Sequence, residues 1–176
     1  MSAALIGHAG FVGSSLMRQT RFDALFRSTN IQQSAGRHFV TVVCAGAPAQ
    51  KWLANRDPEG DRQCIDALMQ ALDRIECDTF ILISTVDVFA NPVGVDESSP
   101  TDESSLAAYG LNRLRLERHV EERFKRVLIV RLPGLVGPGP RKNVIHDLQH
   151  DNRIEAIDSR GIFQFYPMVN LWYDID

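Results

Sequence analysis

The stretch LIGHAGFVGSSL, residues 5–16, sets Gly7, Gly10 and Gly13 three apart, after a short apolar run and before a helix-like one. Between a strand and a helix this spacing has a mechanical meaning. The glycines allow a tight turn and close backbone approach, and the free N–H groups at the helix start then face a diphosphate. On this reading Gly7, Gly10, Phe11, Val12 and Gly13 form a phosphate cradle. The bland alternative is a tight β-α turn with no ligand, and the strand before and helix after favour the cradle. His8, inside the loop, is expected to point away from the phosphate.

The 176 residues suffice for one domain with a full core and leave no room for a second large one. With 44% apolar and 23% charged residues the chain reads as an ordinary globular protein rather than a disordered one. A net charge of -3 without a basic stripe gives no reason to expect nucleic acid or an anionic membrane as partner. No run approaches the roughly 20 apolar residues of a membrane helix, and no leader-like start is seen, so the expected address is the cytoplasm. Cys44, Cys64 and Cys77 are odd in number and lack a C-x-x-C pairing, which predicts reduced, mostly buried thiols.

Apolar strand-like runs recur at 3–6, 24–26, 39–44, 79–83 and 127–132, several of them near-continuous, as in a parallel sheet covered on both faces. Ile65, Leu68, Met69, Leu72 and Ile75 follow helical spacing, and 106–124 reads as a helix whose charged outer face begins at Arg113. Only about a dozen residues separate Phe26 from Phe39, near the lower limit for a helical crossover. These features predict an α/β, doubly wound, Rossmann-type parallel sheet of five core strands in the order 2-1-3-4-5, with a short C-terminal extension. The expected division is a dinucleotide-binding domain over 1–140 and a truncated substrate-side segment over 141–176. A short helix is predicted over 143–150. Its HDLQH run superficially resembles a zinc helix but lacks the Glu base and a third ligand, so no metal is expected. The tail aromatics Phe163, Phe165, Tyr166, Trp172 and Tyr173 read as core or interface cover.

Dinucleotide folds usually carry an acid at the end of strand two that holds the ribose 2′-OH. Here that position reads Arg27-Ser28-Thr29-Asn30, while Asp23 falls at the start of the strand, on the opposite edge. A guanidinium beside hydroxyls suits a 2′-phosphate, which favours NADP over NAD; the alternative is a solvated strand-end arginine. Further on, a strand ends in Ser84-Thr85, and Tyr109 and Arg113 lie one helical turn apart. A cation near a phenol is expected to lower its pKa and suit it to proton transfer. Taken alone, such a pair is more often surface packing.

The stretches GHAGFVG, VVCAGAP, LISTVDVF, AYGLNRLRLE and RLPGLVGPG, spread over residues 3–147, resemble the extended, NAD(P)-dependent epimerase/dehydratase branch of the short-chain dehydrogenase/reductase superfamily, including its dTDP-4-dehydrorhamnose reductase-like members. The resemblance implies a cofactor across the strand ends with Ala45 and Gly46 beside it. It also implies Thr85 orienting a substrate oxygen, Tyr109 as acid/base, and Tyr109 and Arg113 against the cofactor. Two departures stand out. The family has Lys where this chain has Arg113, and only 37 residues follow Gly139. Two functions are therefore expected: an NADP-preferring oxidoreductase or epimerase acting on a small-molecule carbonyl or hydroxyl carbon, such as that of a nucleotide sugar, or a weakened NAD(P)-binding sensor or partner-assembly module. A homodimer is left open.

Overall fold

The computed structural model describes residues 2–139 and 143–176. The boundary expected between residues 140 and 141 lies outside the described residues. The core is built as β1 (Ala3–Ile6), α1 (Phe11–Gln19), β2 (Ala24–Phe26), β3 (His38–Cys44), α2 (Lys51–Arg56), α3 (Pro58–Leu72), β4 (Glu76–Thr85), α4 (Ala108–Arg123) and β5 (Val127–Leu132). All five strands are parallel, in the order β2-β1-β3-β4-β5 expected for the doubly wound fold. Between β2 and β3 the chain makes only a 3-10 turn at Ile31–Ser34, in keeping with the short spacing there.

Alternation along each strand divides the interior into two layers. Ala4, Ile6, Val42, Cys44, Phe80 and Leu82 face α3 and α4, whose Ile65, Leu68, Leu72, Leu116 and Val120 close over them. Leu5, Val43, Ile81, Ile83 and Leu132 face the other way, onto Leu16 of α1. One short helix cannot cover that second face. The tail completes it: β6 (Gly134–Val136) pairs with β7 (Phe165–Pro167), and α6 (Leu171–Ile175) follows, so that Met168, Leu171 and Ile175 are buried against the sheet. The predicted short helix is α5 (Val144–Gln149), capped by Asn143, whose side chain accepts from the His146 amide.

Some expectations are made specific and one, for α4, is corrected. Tyr166 and Trp172 are core cover, but Phe163 and Tyr173 are exposed. Cys44 is buried and Cys77 half-buried, each with its thiol pushed up to about 11 by burial, whereas Cys64 is exposed on α3. The face of α4 that carries Arg113 is not charged and solvated: Asn112, Arg113 and Glu117 are all buried. Periodicity misled there because polar residues with partners occupy core positions. Among the described residues no helix is long and apolar enough to cross a membrane.

Candidate functional site

The strands run parallel, so their carboxyl ends share one edge, and the crossovers from β1 and β3 depart to opposite sides. This opens a crevice between those two strand ends. The glycine loop sits there. Gly7 follows β1 with φ +87, in the left-handed region, and a Cβ on it would stand 2.2 Å from the Ala45 carbonyl oxygen. The backbones after β1 and β3 therefore touch, and Ala45 and Gly46 lie beside the loop. Gly10 is the N-cap of α1 and offers no side-chain cap, and no acid occupies the first turn. The opening amides at Phe11, Val12 and Gly13 are thus left for an outside acceptor.

Arg27 and Ser28 follow β2 on the same edge, where the Gly7 amide donates to the Phe26 carbonyl at 2.8 Å. The turn is fixed by Asn30, whose Oδ1 accepts from the Arg27 amide at 2.7 Å and whose Nδ2 donates to the Leu25 carbonyl. The Arg27 side chain is exposed. Asp23 is on the opposite edge, as expected, where it accepts from the Ala3 amide at 2.8 Å.

Thr85 ends β4 in the register Thr85↔Leu132. Its hydroxyl accepts from the Asp87 amide at 3.2 Å and donates to the Asp87 carboxylate at 3.3 Å. Two details bring Tyr109 here. A Cβ on Gly110 would stand 2.1 Å from the Asp87 carbonyl oxygen, so only glycine lets the start of α4 press against this turn. Asn55 of α2 accepts from the Tyr109 amide at 2.9 Å and caps a helix whose own N-cap, Ala107, cannot.

Arg113 lies with its guanidinium carbon 4.0 Å from the centre of the Tyr109 ring, a cation-π stack. It is buried, ion-paired with Asp61 of α3, and donates to the Pro48 carbonyl. Asn112 completes the cluster, donating to Asp61 at 2.8 Å. The expected lowering of the Tyr109 pKa does not occur. Burial of the phenol raises it, outweighing the Arg113 charge, and Asp87 and Asp61 push the same way, against a smaller lowering from the nearby Thr85 hydroxyl. One polar atom is unused: Arg113 Nε is buried without a hydrogen-bond partner. That orphan and the uncapped glycine corner are features a dinucleotide would complete.

Sequence reasoning passed over several supporting residues. Asp61, Asn112 and Glu117 are polar residues of α3 and α4 that the motifs did not include. Glu117 is 1% exposed and accepts from Ser84 Oγ at 2.5 Å and from Arg131 at 2.8 Å, tying β4 and β5 to α4 beside the site. A signal was present, since charges at i, i+4 on an otherwise apolar stripe, as at 113 and 117, require buried partners. His146 and His150 stack at 4.1 Å on α5, and among the described residues no group of three or more ligating side chains could hold a metal ion.

The sheet order and the glycine corner define a Rossmann-type α/β chain. Solved structures narrow the fold further. The chain is similar to dTDP-4-dehydrorhamnose reductase from Bacillus anthracis in complex with NADP, at 18% identity and a TM-score of 0.76, covering 99% of this chain and 70% of that one. It is similar to an NAD-dependent NDP-hexosamine 5,6-dehydratase involved in tunicamycin biosynthesis, at 15% identity and a TM-score of 0.76, covering 99% and 70%. UDP-glucose 4-epimerase from Thermotoga maritima, solved with UDP-glucose, matches at 15% identity and a TM-score of 0.63, covering 97% and 71%. No family model and no curated protein matches the sequence. The fold is the one shared by these reductases, dehydratases and epimerases.

Proposed function

We propose that the chain is an NADP-preferring oxidoreductase or epimerase acting on a carbonyl or hydroxyl carbon, with a nucleotide sugar as the favoured substrate class. The observation that carries this reading is the Tyr109–Arg113 stack at the start of α4, pressed through Gly110 onto the turn that follows Thr85, on the same sheet edge as the uncapped glycine corner. A bound nicotinamide supplies hydride chemistry at its ring. Around it the protein handles binding and protons. The amides opening α1 would hold the diphosphate, Arg27 and Ser28 would hold a 2′-phosphate, and Arg113, whose Nε has no hydrogen-bond partner, would lie against the cofactor. Thr85 would orient the substrate oxygen, and Tyr109, its phenol held protonated by burial, would donate a proton to that oxygen.

Titration with each reduced cofactor tests the binding half. NADPH is expected to bind more tightly than NADH, and Arg27→Ala to weaken NADPH alone by about tenfold, the effect of one charge-assisted contact. Tighter NADH binding would refute the role of Arg27. Gly7→Ala is expected to weaken both by at least about tenfold, because the left-handed backbone and the Ala45 carbonyl oppose a methyl group. Affinity unchanged from the parent protein would exclude the corner as the diphosphate site.

One observation favours a second reading. Arg113 is engaged by Asp61 and the Pro48 carbonyl and cannot give up a proton. A cofactor-binding sensor needs nothing more of it. Saturable NADPH binding with no turnover across a panel of 4-keto and 4-hydroxy nucleotide sugars would select the sensor.

A further inference from the structure

We propose that the cavity between α2 and α3 is a binding site for a small organic cation, an ammonium or amidinium on a compact apolar body, received by the free carboxylate oxygen of Asp61. The site does not rest on the enzymatic reading.

Helices α2 and α3 are joined by one residue, Asp57, and in the angle between them the chain leaves a cavity of about 250 Å³. Pro48, Leu53, Ala54 and Cys64 give it apolar walls. Its polar side chains are those of Gln50, Asp57 and Asp61, and among the described residues no cationic side chain lines it. Neither the glycine corner nor Tyr109 contributes to it.

Asp61 is the member that points to a ligand. Its side chain is 5% exposed, yet both of its hydrogen bonds, from Arg113 Nη1 and from Asn112 Nδ2 at 2.8 Å, fall on Oδ2. Among the described residues nothing donates to Oδ1, and Oδ1 is not one of the fully buried orphan atoms either. Its remaining access to solvent therefore runs through the cavity that Asp61 lines. An ionised carboxylate oxygen left without a donor in an apolar wall is costly, and a charge-assisted N–H from the cavity side removes that cost.

Charge selects the occupant. Arg113 already matches Asp61, and Asp57 adds a second negative charge at the cavity wall. Asp57 Oδ1 accepts from the Gly60 amide at 3.0 Å and caps α3, and among the described residues nothing donates to its Oδ2. One positive charge in the cavity leaves Arg113, Asp61, Asp57 and the ligand neutral as a group, whereas an anion would face two carboxylates. Size selects it too. Drug-sized ligands fill about 300–1,000 Å³, so this cavity takes little more than one ring and its head group.

Benzamidine, an amidinium on one ring, is the probe, with benzamide as its neutral isostere. Titration followed by proton–nitrogen correlation NMR is expected to give a Kd of about 1 mM or tighter for benzamidine, with the shifts centred on Ala54, Gly60, Asp61 and Cys64. Benzamide is expected to bind at least about tenfold more weakly, for want of the charge-assisted bond. Cys64→Phe, which fills the cavity from an exposed wall position, is expected to weaken benzamidine by at least about tenfold. Asp57→Asn keeps a good N-cap and removes the charge, and is expected to weaken it by about threefold. Both positions are exposed, so the fold is expected to survive, with circular dichroism as the check. Equal affinity for the two probes, full benzamidine affinity in either variant, shifts centred on the glycine corner, or no saturation by about 20 mM would each overturn the proposal.

Discussion

Tyr109→Phe is expected to reduce turnover by roughly 10²- to 10⁴-fold, the range for loss of a positioned general acid, while NADPH affinity stays within about threefold. The substitution is clean for structural reasons. The ring remains stacked under the Arg113 guanidinium, and the Thr85 hydroxyl keeps both of its Asp87 contacts, so no buried group is orphaned. The pH dependence follows from the direction of the Tyr109 shift. Burial holds the phenol above its ordinary value of 10, so the proton donor is fully loaded through the neutral range. Reduction rates are expected to be flat there and to fall only at strongly alkaline pH. A retained rate in Tyr109→Phe, or an alkaline limb near neutrality that disappears with the hydroxyl, would place proton transfer elsewhere.

Asp61→Ala is expected to destabilise the protein by about 3–5 kcal/mol, read as a lowered urea midpoint at unchanged slope. Both side chains of the pair are nearly inaccessible, 3% exposed for Arg113 and 5% for Asp61, so solvent does little to screen the loss. Removing the carboxylate leaves a permanent cation with no anion, facing the Pro48 and Tyr109 carbonyls and the Tyr109 ring, and Asn112 loses its acceptor as well. Asp61→Asn, which retains an acceptor oxygen without the charge, is expected to fall between the two. A change below about 1 kcal/mol in Asp61→Ala would mean that water reaches Arg113 freely.

The sheet was legible because its determinants are local. Three of the five strands begin and end where their apolar runs do, and the short spacing between Phe26 and Phe39 already limited the connection to less than a helix. The glycine corner was legible for the same reason, since turn geometry and residue type occupy one stretch. The surroundings of Tyr109 were not. Asp61, Asn55 and Asp87 come from separate elements, and nothing in their own neighbourhoods marks them as partners of α4. The tail was opaque for a related reason. Met168, Leu171 and Ile175 bury against strands more than thirty residues away, and a five-residue helix is too short to show a period.

Gln19, at the last turn of α1, donates to the Met168 carbonyl at 2.8 Å and accepts from the Trp172 amide at 2.9 Å. The helix that opens at the glycine corner is thus clasped at its far end by the tail. Both partners of Gln19 are main-chain groups of the tail, so the seat of α1 on the sheet is set jointly by the turn that opens it and by residues 168–172.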